Sequence, residues 1–528
     1  MSKKTIEINS IPSEKFTFVN QNEKLTDTKF VDKPVGYLKD AWIRFCKNKG
    51  SIVAAVIILI ILLFAFVTPV VFRRYDQTFM DVYYSKKAPR NLWLRDHLGI
   101  CDGTVTRDFN ERGMLIVIGI GIGAEDVNGT GEVTLEEGMA SYYQPMQKIG
   151  EGKKITGMIG SKDKVIYTCK LDTYLEYGFQ YQSIEQEEYQ RIKAWEIKTG
   201  LKVLYPLVEE NEWNLDPTNA NYWYKTKKGT PVRLNARGKA KEIAYEPGMV
   251  LEDNYVRDAE GNPVYYTYTG GGDKDTAQYK VRVLYYNYYR YKNGFEPEYL
   301  FGTDSQGYDM MLRLASGIKL SFLVALVVSA INLTIGAIYG AIEGYYGNTT
   351  DLVMERISDI LTHTPFIVVA TLFQLHYASK IGPIPCLLFA YVTTGWISMA
   401  YRVRTQFYRF KNQEYVMAAR TLGASDSRII WKHIFPNSLG TIITSCVLVI
   451  PGVIFTESML SFLGIVKLGN ETTTSLGTLL SDASNIWMNF PHLMLFPALI
   501  ISLLEICFNL FGNGLRDAFN PSLRGVEE

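Results

Sequence analysis

Two carboxylates stand where carboxylates are hard to keep. Glu457 lies near one end of an apolar run at 439–463, and Glu505 lies well inside another at 492–515. An ionisable side chain in hydrocarbon marks a pathway, a charged partner or nearby water. For Glu457 the natural reading is a residue facing the entry to a passage. For Glu505 two readings stand level: a pathway or partner contact, and a place closer to water than the apolar boundary suggests. Asp351, Glu355 and Asp359 recur every four residues, so they share one helix face. A hydrated membrane edge accounts for them. Pro365, Pro451 and Pro497 also fall inside apolar runs. A proline there kinks a helix while its neighbours re-satisfy the freed backbone groups. Such kinks shape a channel or serve packing.

Other chemistry is missing from the sequence. It holds no GxxxxGK[ST] loop to cradle phosphates. No CxxC or His-x-x-x-His spacing suggests a metal, and no nucleophile–base arrangement is visible. Catalytic residues, a metal and a bound cofactor are therefore not expected. Of the six cysteines, Cys46, Cys386, Cys446 and Cys507 lie in or beside apolar runs and read as small apolar fillers. Cys101 and Cys169 lie in a polar region. Outside a cell they can pair, but two free thiols are the favoured reading. The 55 basic and 54 acidic residues nearly cancel, so no strongly basic face points to nucleic acid.

The elements that carry these residues are membrane spans. "SIVAAVIILIILLFAFVTPVVF" (51–72) has the roughly 20 residues a spanning helix needs. About fifty mostly polar residues precede it and no small-residue cleavage site follows, so it reads as a retained span rather than a signal peptide. Five more spans are predicted at 318–342, 352–377, 384–402, 439–463 and 492–515. Short loops rich in Lys and Arg face the cytoplasm. Arg44, Lys47 and Lys49 precede the first span, and Arg402, Arg404, Arg409, Lys411, Arg420, Arg428 and Lys432 fall between spans four and five. Loops after spans three and five carry little beyond Lys380 and Lys467. The tails at 1–50 and 516–528 and the 403–438 segment are thus expected in the cytoplasm, with 73–298 outside. Arg73 and Arg74 run against this pattern and are outvoted.

The 73–298 region is rich in aromatic and β-branched residues and is expected to fold. "KVIYTCKLDTYLEY" and "YKVRVLYYNYYRYK" have strand composition. "VRDAEGNPVYYTYT" reads as a hairpin turning at Glu260-Gly261-Asn262-Pro263, and "IEQEEYQRIKAWEIKTG" as a helix ending at Gly200. "MLIVIGIGIG" (114–123) is too short to span and reads as a buried strand.

Between spans four and five, "EYVMAARTLGASDSRIIWKHIFPN" is polar, basic and broken by glycine. A helix is predicted over 412–422, broken at Gly423. A second starts at Ser425 as N-cap, carries Asp426 in its first turn and Lys432 and His433 in its last, and ends at Pro436. Ala418 and Ala419 keep its surface smooth enough to seat in a groove on another protein.

This segment resembles the EAA loop of ABC importer permeases. "LFGTDSQGYDMMLRLASGIKLSF", "GYYGNTTDLVMERISDI", "ESMLSFLGI" and "FNLFGNGLRDAFNP" resemble signatures of oligopeptide and dipeptide permeases, above all the C-type subunit. The resemblance covers the first span and nearly all of 299–525. It implies an α-helical integral membrane protein with six transmembrane helices, a type I ABC importer permease, interrupted by a β-rich α+β extracytoplasmic insert. The permease core is then 299–515, with the coupling loop at 412–436. By resemblance, Glu414, Tyr415, Met417, Ala418, Ala419, Arg420, Gly423, Ala424, Ser425 and Pro436 form the surface that docks on a cytoplasmic ATPase.

The resemblance also implies a homologous second permease as heterodimer partner, two ATPase subunits that hold ATP and Mg, and an extracytoplasmic peptide-binding protein. The setting is the plasma membrane of a bacterium, with surrounding lipid. Met417 replaces the usual loop Glu, Tyr308 the Arg of the "GRD" signature, and Asn513 and Asn520 two Asp residues. The insert is far longer than the usual family loop. A nickel or other small-solute permease is the alternative among importers. An export-type permease typically has four spans, against six here. A membrane-anchored receptor calls for a cytoplasmic signalling domain that neither tail can hold.

Overall fold

The computed structural model describes residues 37–71, 78–130, 133–155, 164–208, 225–227, 230–234, 240–242, 255–269, 278–470 and 473–519. The tail before 37, Arg73 and Arg74, and the end of the chain from Asn520 lie outside the described residues.

Helix α1 (Tyr37–Lys47) leads into α2 (Lys49–Val71), the first span. Phe45 of α1 packs edge-on against Phe511, with ring centroids 5.3 Å apart.

The insert follows. It runs through α3 (Leu92–Leu98), β1 (Thr104–Asn110), α4 (Glu111–Glu125), α5 (Leu135–Ala140), β2 (Met146–Ile155), β3 (Lys164–Asp172), β4 (Phe179–Ile184) and α6 (Gln186–Thr199). Then come β5 (Leu204–Tyr205), β6 (Lys225–Lys227), β7 (Thr230–Leu234), β8 (Ala240–Glu242), β9 (Tyr266–Thr269), β10 (Gln278–Leu284) and α7 (Tyr285–Asn293). Among the described residues these strands form three antiparallel sheets. One has the order β1-β3-β2, another β6-β7-β8, and in the third β10 pairs with β4 on one side and with β5 and β9 in succession on the other. The predicted turn is present: Gly261 has φ +84°, and Arg257 bridges Pro263. Gly200 ends α6 in the left-handed conformation, as expected.

Two insert expectations are corrected. Residues 114–123 form a helix, not a strand. Asn110 caps α4 by accepting from the Gly113 N–H at 2.7 Å. Val117, Ile118, Ile120, Ile122 and Ala124 are all buried, so the Ile–Gly alternation reflects burial on several sides rather than a pleat. A Cβ on Gly138 of α5 would sit 2.3 Å from the Ile122 side chain, so the two helices meet at a residue that must be small. The strand expected over 279–292 ends at Leu284 and continues as α7. Tyr285, Tyr286 and Tyr289 share one face of α7 and are buried with Tyr84, Tyr174 and Tyr299. These tyrosines are core, and their composition alone could not separate strand from helix.

The membrane core comprises α8 (Met310–Tyr346), α9 (Asn348–Thr362), α10 (Phe366–Ile381), α11 (Pro383–Thr394) and α12 (Ile397–Phe410). It continues through α13 (Glu414–Thr421), α14 (Asp426–Arg428), a π-helical turn (Ile429–Ile434), α15 (Phe435–Phe462), α16 (Leu476–Ala483) and α17 (Pro491–Phe519). Among the described residues five helices are long and apolar enough to cross a membrane, or six if the bent pair α9–α10 is one span. That pair turns by 69°. Pro365 is therefore not inside a helix but caps α10 at the break, whereas Pro451 and Pro497 lie within α15 and α17 as predicted.

Insert and core meet at the start of α8. Backbone pairs join Lys86 N–H to the Asp304 carbonyl at 2.9 Å and Thr303 N–H to the Lys87 carbonyl at 3.1 Å. The Asp304 carboxylate meets Arg313 at 3.1 Å with both side chains nearly buried. Phe301 packs against Phe496 with the rings tilted, centroids 4.7 Å apart. The "GTDSQGYD" stretch is thus a joint between the two parts. Helix α8, at about 1.5 Å per residue, carries this joint about 55 Å from its other end.

Asp309 caps α8 by accepting from the Met311 N–H at 2.8 Å. Burial pushes its carboxyl up to about 6. A raised acid binds its proton more tightly in the folded than in the unfolded chain. Its contribution to stability is therefore full below the unfolded value of 3.8 and lost as pH climbs to about 6. The thermal midpoint should fall across that window, and Asp309→Asn should flatten part of the fall. An unchanged pH profile in the variant contradicts this.

Candidate functional site: the elbow and the charge cluster behind it

The segment between α12 and α15 folds as an elbow. Helix α13 ends at Thr421, and Gly423 turns the chain at φ +82°. An added Cβ there would meet nothing within 4 Å. The left-handed backbone, not space, calls for glycine. Helix α14 starts after Ser425, which holds the N-cap position but makes no side-chain capping bond.

Pro436 does not stop the second helix, contrary to expectation. Residues 426–462 run as one continuous helical rod. The π-turn at Ile429–Ile434 closes with the Phe435 N–H donating to the Ile430 carbonyl. Pro436 follows directly on that wider turn at the start of α15, and the rod absorbs it there. The elbow is thereby continuous with a membrane helix.

One face of the elbow is fastened down. Val416, Ile429, Ile430 and Ile434 are buried against Ala341 and Tyr345 of α8 and Met399, Val403 and Phe407 of α12. The Tyr345 hydroxyl donates to Asp426 at 2.6 Å, and Arg420 donates to the same hydroxyl at 3.4 Å. Asn437 donates to the Tyr415 hydroxyl at 3.2 Å. The opposite face is open. Glu414, Tyr415, Met417, Ala418, Arg420, Gly423, Ser425 and Pro436 are exposed, and Ala419 and Ala424 half-buried. Leu422 is 88% and Met417 57% exposed, which leaves apolar side chains outside any core of this chain.

Behind the elbow lies a cluster whose meaning the sequence did not disclose. Arg404 of α12 holds Asp351 with two hydrogen bonds at 2.6 and 2.8 Å, Glu355 at 3.1 Å and Glu343 at 3.5 Å. Tyr408 also donates to Asp351. Glu343 is buried on α8. The three acids come from α8 and α9, so one guanidinium ties three helices together. A Cβ on Gly340 would lie 2.2 Å from the Ala400 carbonyl, and that close approach brings α12 within reach. Asp351 and Glu355 are thus partners of Arg404 rather than merely residues of a hydrated edge. A cavity of about 630 Å³ opens beside them, lined by Glu343, Glu355, Asp359, Tyr401, Arg402 and Arg404 among others.

The remaining candidates are scattered. Glu457 does not face an open passage in this structure. It is buried between α8 and α15, accepting from Ser321 at 2.9 Å and Ser461 at 3.0 Å. Serines from both helices satisfy it, an arrangement visible only once Ser321 is brought alongside. Glu505 is half-buried and accepts from Asn509 at 3.2 Å. Cys101 and Cys169 are free thiols, Cys169 buried on β3.

An apolar helical core, an elbow continuous with a membrane rod, and a folded insert at the far end of α8 define a helical membrane permease subunit. Residues 332–525 match the family described as binding-protein-dependent transport system inner membrane component, and residues 36–89 match the N-terminal TM domain of oligopeptide transport permease C. The oligopeptide transport system permease protein OppC of Bacillus subtilis is 40% identical over 227 residues, 43% of this chain and 73% of that protein. OppC of Haemophilus influenzae is 41% identical over 229 residues, 43% and 72% of the two chains. The dipeptide transport system permease protein DppC of Bacillus subtilis is 39% identical over 233 residues, 43% and 70%. The chain belongs to this family of oligopeptide and dipeptide ABC permeases. An inward-facing MetNI methionine ABC transporter aligns over 40% of this chain and 98% of its own at 15% identity and a TM-score of 0.34, too low to support any argument.

Proposed function

We propose that this chain is the C-type permease subunit of an ATP-driven importer of oligopeptides in a bacterial plasma membrane. It pairs with a homologous second permease. Two cytoplasmic ATPase subunits, which hold the ATP and Mg, dock on the elbow at 412–436. An extracytoplasmic binding protein delivers peptide on the insert side, and both termini are cytoplasmic. The observation that carries this reading is the elbow, fastened inward by buried isoleucines while Met417 and Leu422 stay outside any core. ATP-driven closure of the ATPases would push on that face. The rod at 426–462 would then rock as a rigid body.

Uptake of labelled peptides of increasing length, in cells lacking the gene and complemented with the native chain, tests the cargo. Restored uptake supports it. Uptake that never depends on the gene refutes it and turns the question to nickel or other small solutes. Within the same assay Tyr345→Phe should slow uptake about five-fold at equal membrane level, since the lost anchor to Asp426 is worth about 1 kcal/mol. An unchanged rate means that the hydroxyl does not hold the elbow in its working position.

A further inference from the structure

A cleft of about 390 Å³ lies in the insert, lined by Arg90, Arg95, Asp102, Lys170, Asp172 and Tyr286 among others. Its volume suits a small ligand. Arg90 is 2% exposed and is held over the rings of Tyr174 and Tyr286, 5.0 and 5.5 Å from their centroids. Its Nη2 donates to the Tyr286 hydroxyl at 3.3 Å. Among the described residues its Nε and Nη1 have no hydrogen-bond partner. Asp172 Oδ2 stands 3.8 Å from Nη1, beyond hydrogen-bond length, while its Oδ1 accepts from the Tyr174 N–H at 2.9 Å. A buried guanidinium with unmet donors is unusual and asks for an acceptor.

The other cations of the cleft are committed. Lys170 meets Asp102 at 2.7 Å and Arg95 meets Asp96 at 2.7 Å. Arg95 with Asp96, Lys170 with Asp102 and Arg90 with Asp172 leave no net charge at the cleft. A cleft without surplus positive charge suits a single carboxylate better than a doubly charged phosphate. Tyrosine rings at Tyr142 and Tyr286 offer surface for the ligand's carbon skeleton.

We propose that this cleft binds the carboxylate of a small ligand through Arg90, with the C-terminal carboxylate of a short peptide as its natural source. Naming a peptide rests on the import reading above; the carboxylate site stands on the geometry alone.

The test titrates the full chain in lipid nanodiscs with tri-alanine, its C-terminal amide and inorganic phosphate, both peptides N-acetylated so that the acid is a monoanion and the amide neutral. Tri-alanine is expected to bind saturably, and the amide about ten-fold more weakly or worse. Arg90→Lys should weaken the acid about ten-fold. Because Arg90 is buried, Gln147→Glu serves as a second variant. Gln147 is exposed at the cleft, and an added carboxylate there should weaken the acid about three-fold while leaving the amide unchanged. Equal binding of acid and amide overturns the site, as does phosphate binding as tightly as tri-alanine. If acid still outbinds amide while cells import no peptide, the import reading fails and the carboxylate site stands. If import holds but acid and amide bind alike, only the site fails.

Discussion

Arg404→Ala should destabilise the membrane core strongly. The substitution leaves Glu343, Asp351 and Glu355 without the cation that all three share. Glu343 is buried, while Asp351 and Glu355 are half-buried beside the cavity. Stranding the one buried carboxylate costs about 3 kcal/mol, the low end for a broken buried pair. The effect should appear as a large drop in the thermal midpoint of the detergent-solubilised chain and as loss of protein from the membrane. Arg404→Lys keeps the charge but loses the two-pronged contact with Asp351, and should fall in between. A midpoint that does not move in Arg404→Ala would mean that the carboxylates are satisfied by something other than Arg404.

Gly423→Pro should leave the chain in the membrane but abolish transport. Proline fixes φ near −65°, whereas Gly423 sits at φ +82°. It also removes the Gly423 N–H that donates to the Arg420 carbonyl at 3.0 Å. The misfit costs about 3 kcal/mol or more, and most of it is confined to the exposed elbow. Peptide uptake is expected to drop about ten-fold or more at equal membrane level. Gly423→Ala should be milder, since its Cβ meets open space and only the left-handed strain of about 1–2 kcal/mol remains. Uptake by Gly423→Pro at the native rate would contradict the role given to the turn.

Local features were legible in the sequence because their causes are local. The first span, the stop at Gly200, the hairpin at Gly261 and the turn at Gly423 each follow from a run of apolar residues or a single permissive glycine. What escaped was set by distant contacts. The Ile–Gly stretch at 114–123 alternates like a strand, yet Asn110 caps it as a helix and α5 packs on its glycine-bearing face. Pro436 looked like a stop because a helix interior rejects proline, but a π-turn just before it resets the register. The acids at 351 and 355 looked like edge charges because Arg404, about fifty residues on, gives no sign of its partners in the sequence. Glu457 is satisfied by Ser321, 136 residues away. The Arg90 cleft gathers residues from five separate stretches of the insert and has no motif at all.

If the proposed function holds, ATPase force enters the chain at the elbow. Leu422, 88% exposed at its tip, offers the most direct probe. In a background with the exposed Cys46 changed to serine, Leu422→Cys carries a photo-activated cross-linker in membranes that contain the assembled transporter. Ile197→Cys in the insert, 87% exposed, serves as the control. A cross-link from position 422 to a cytoplasmic ATPase subunit is expected, and none from position 197. An ATPase that co-purifies with the chain but never cross-links to position 422 would contradict it.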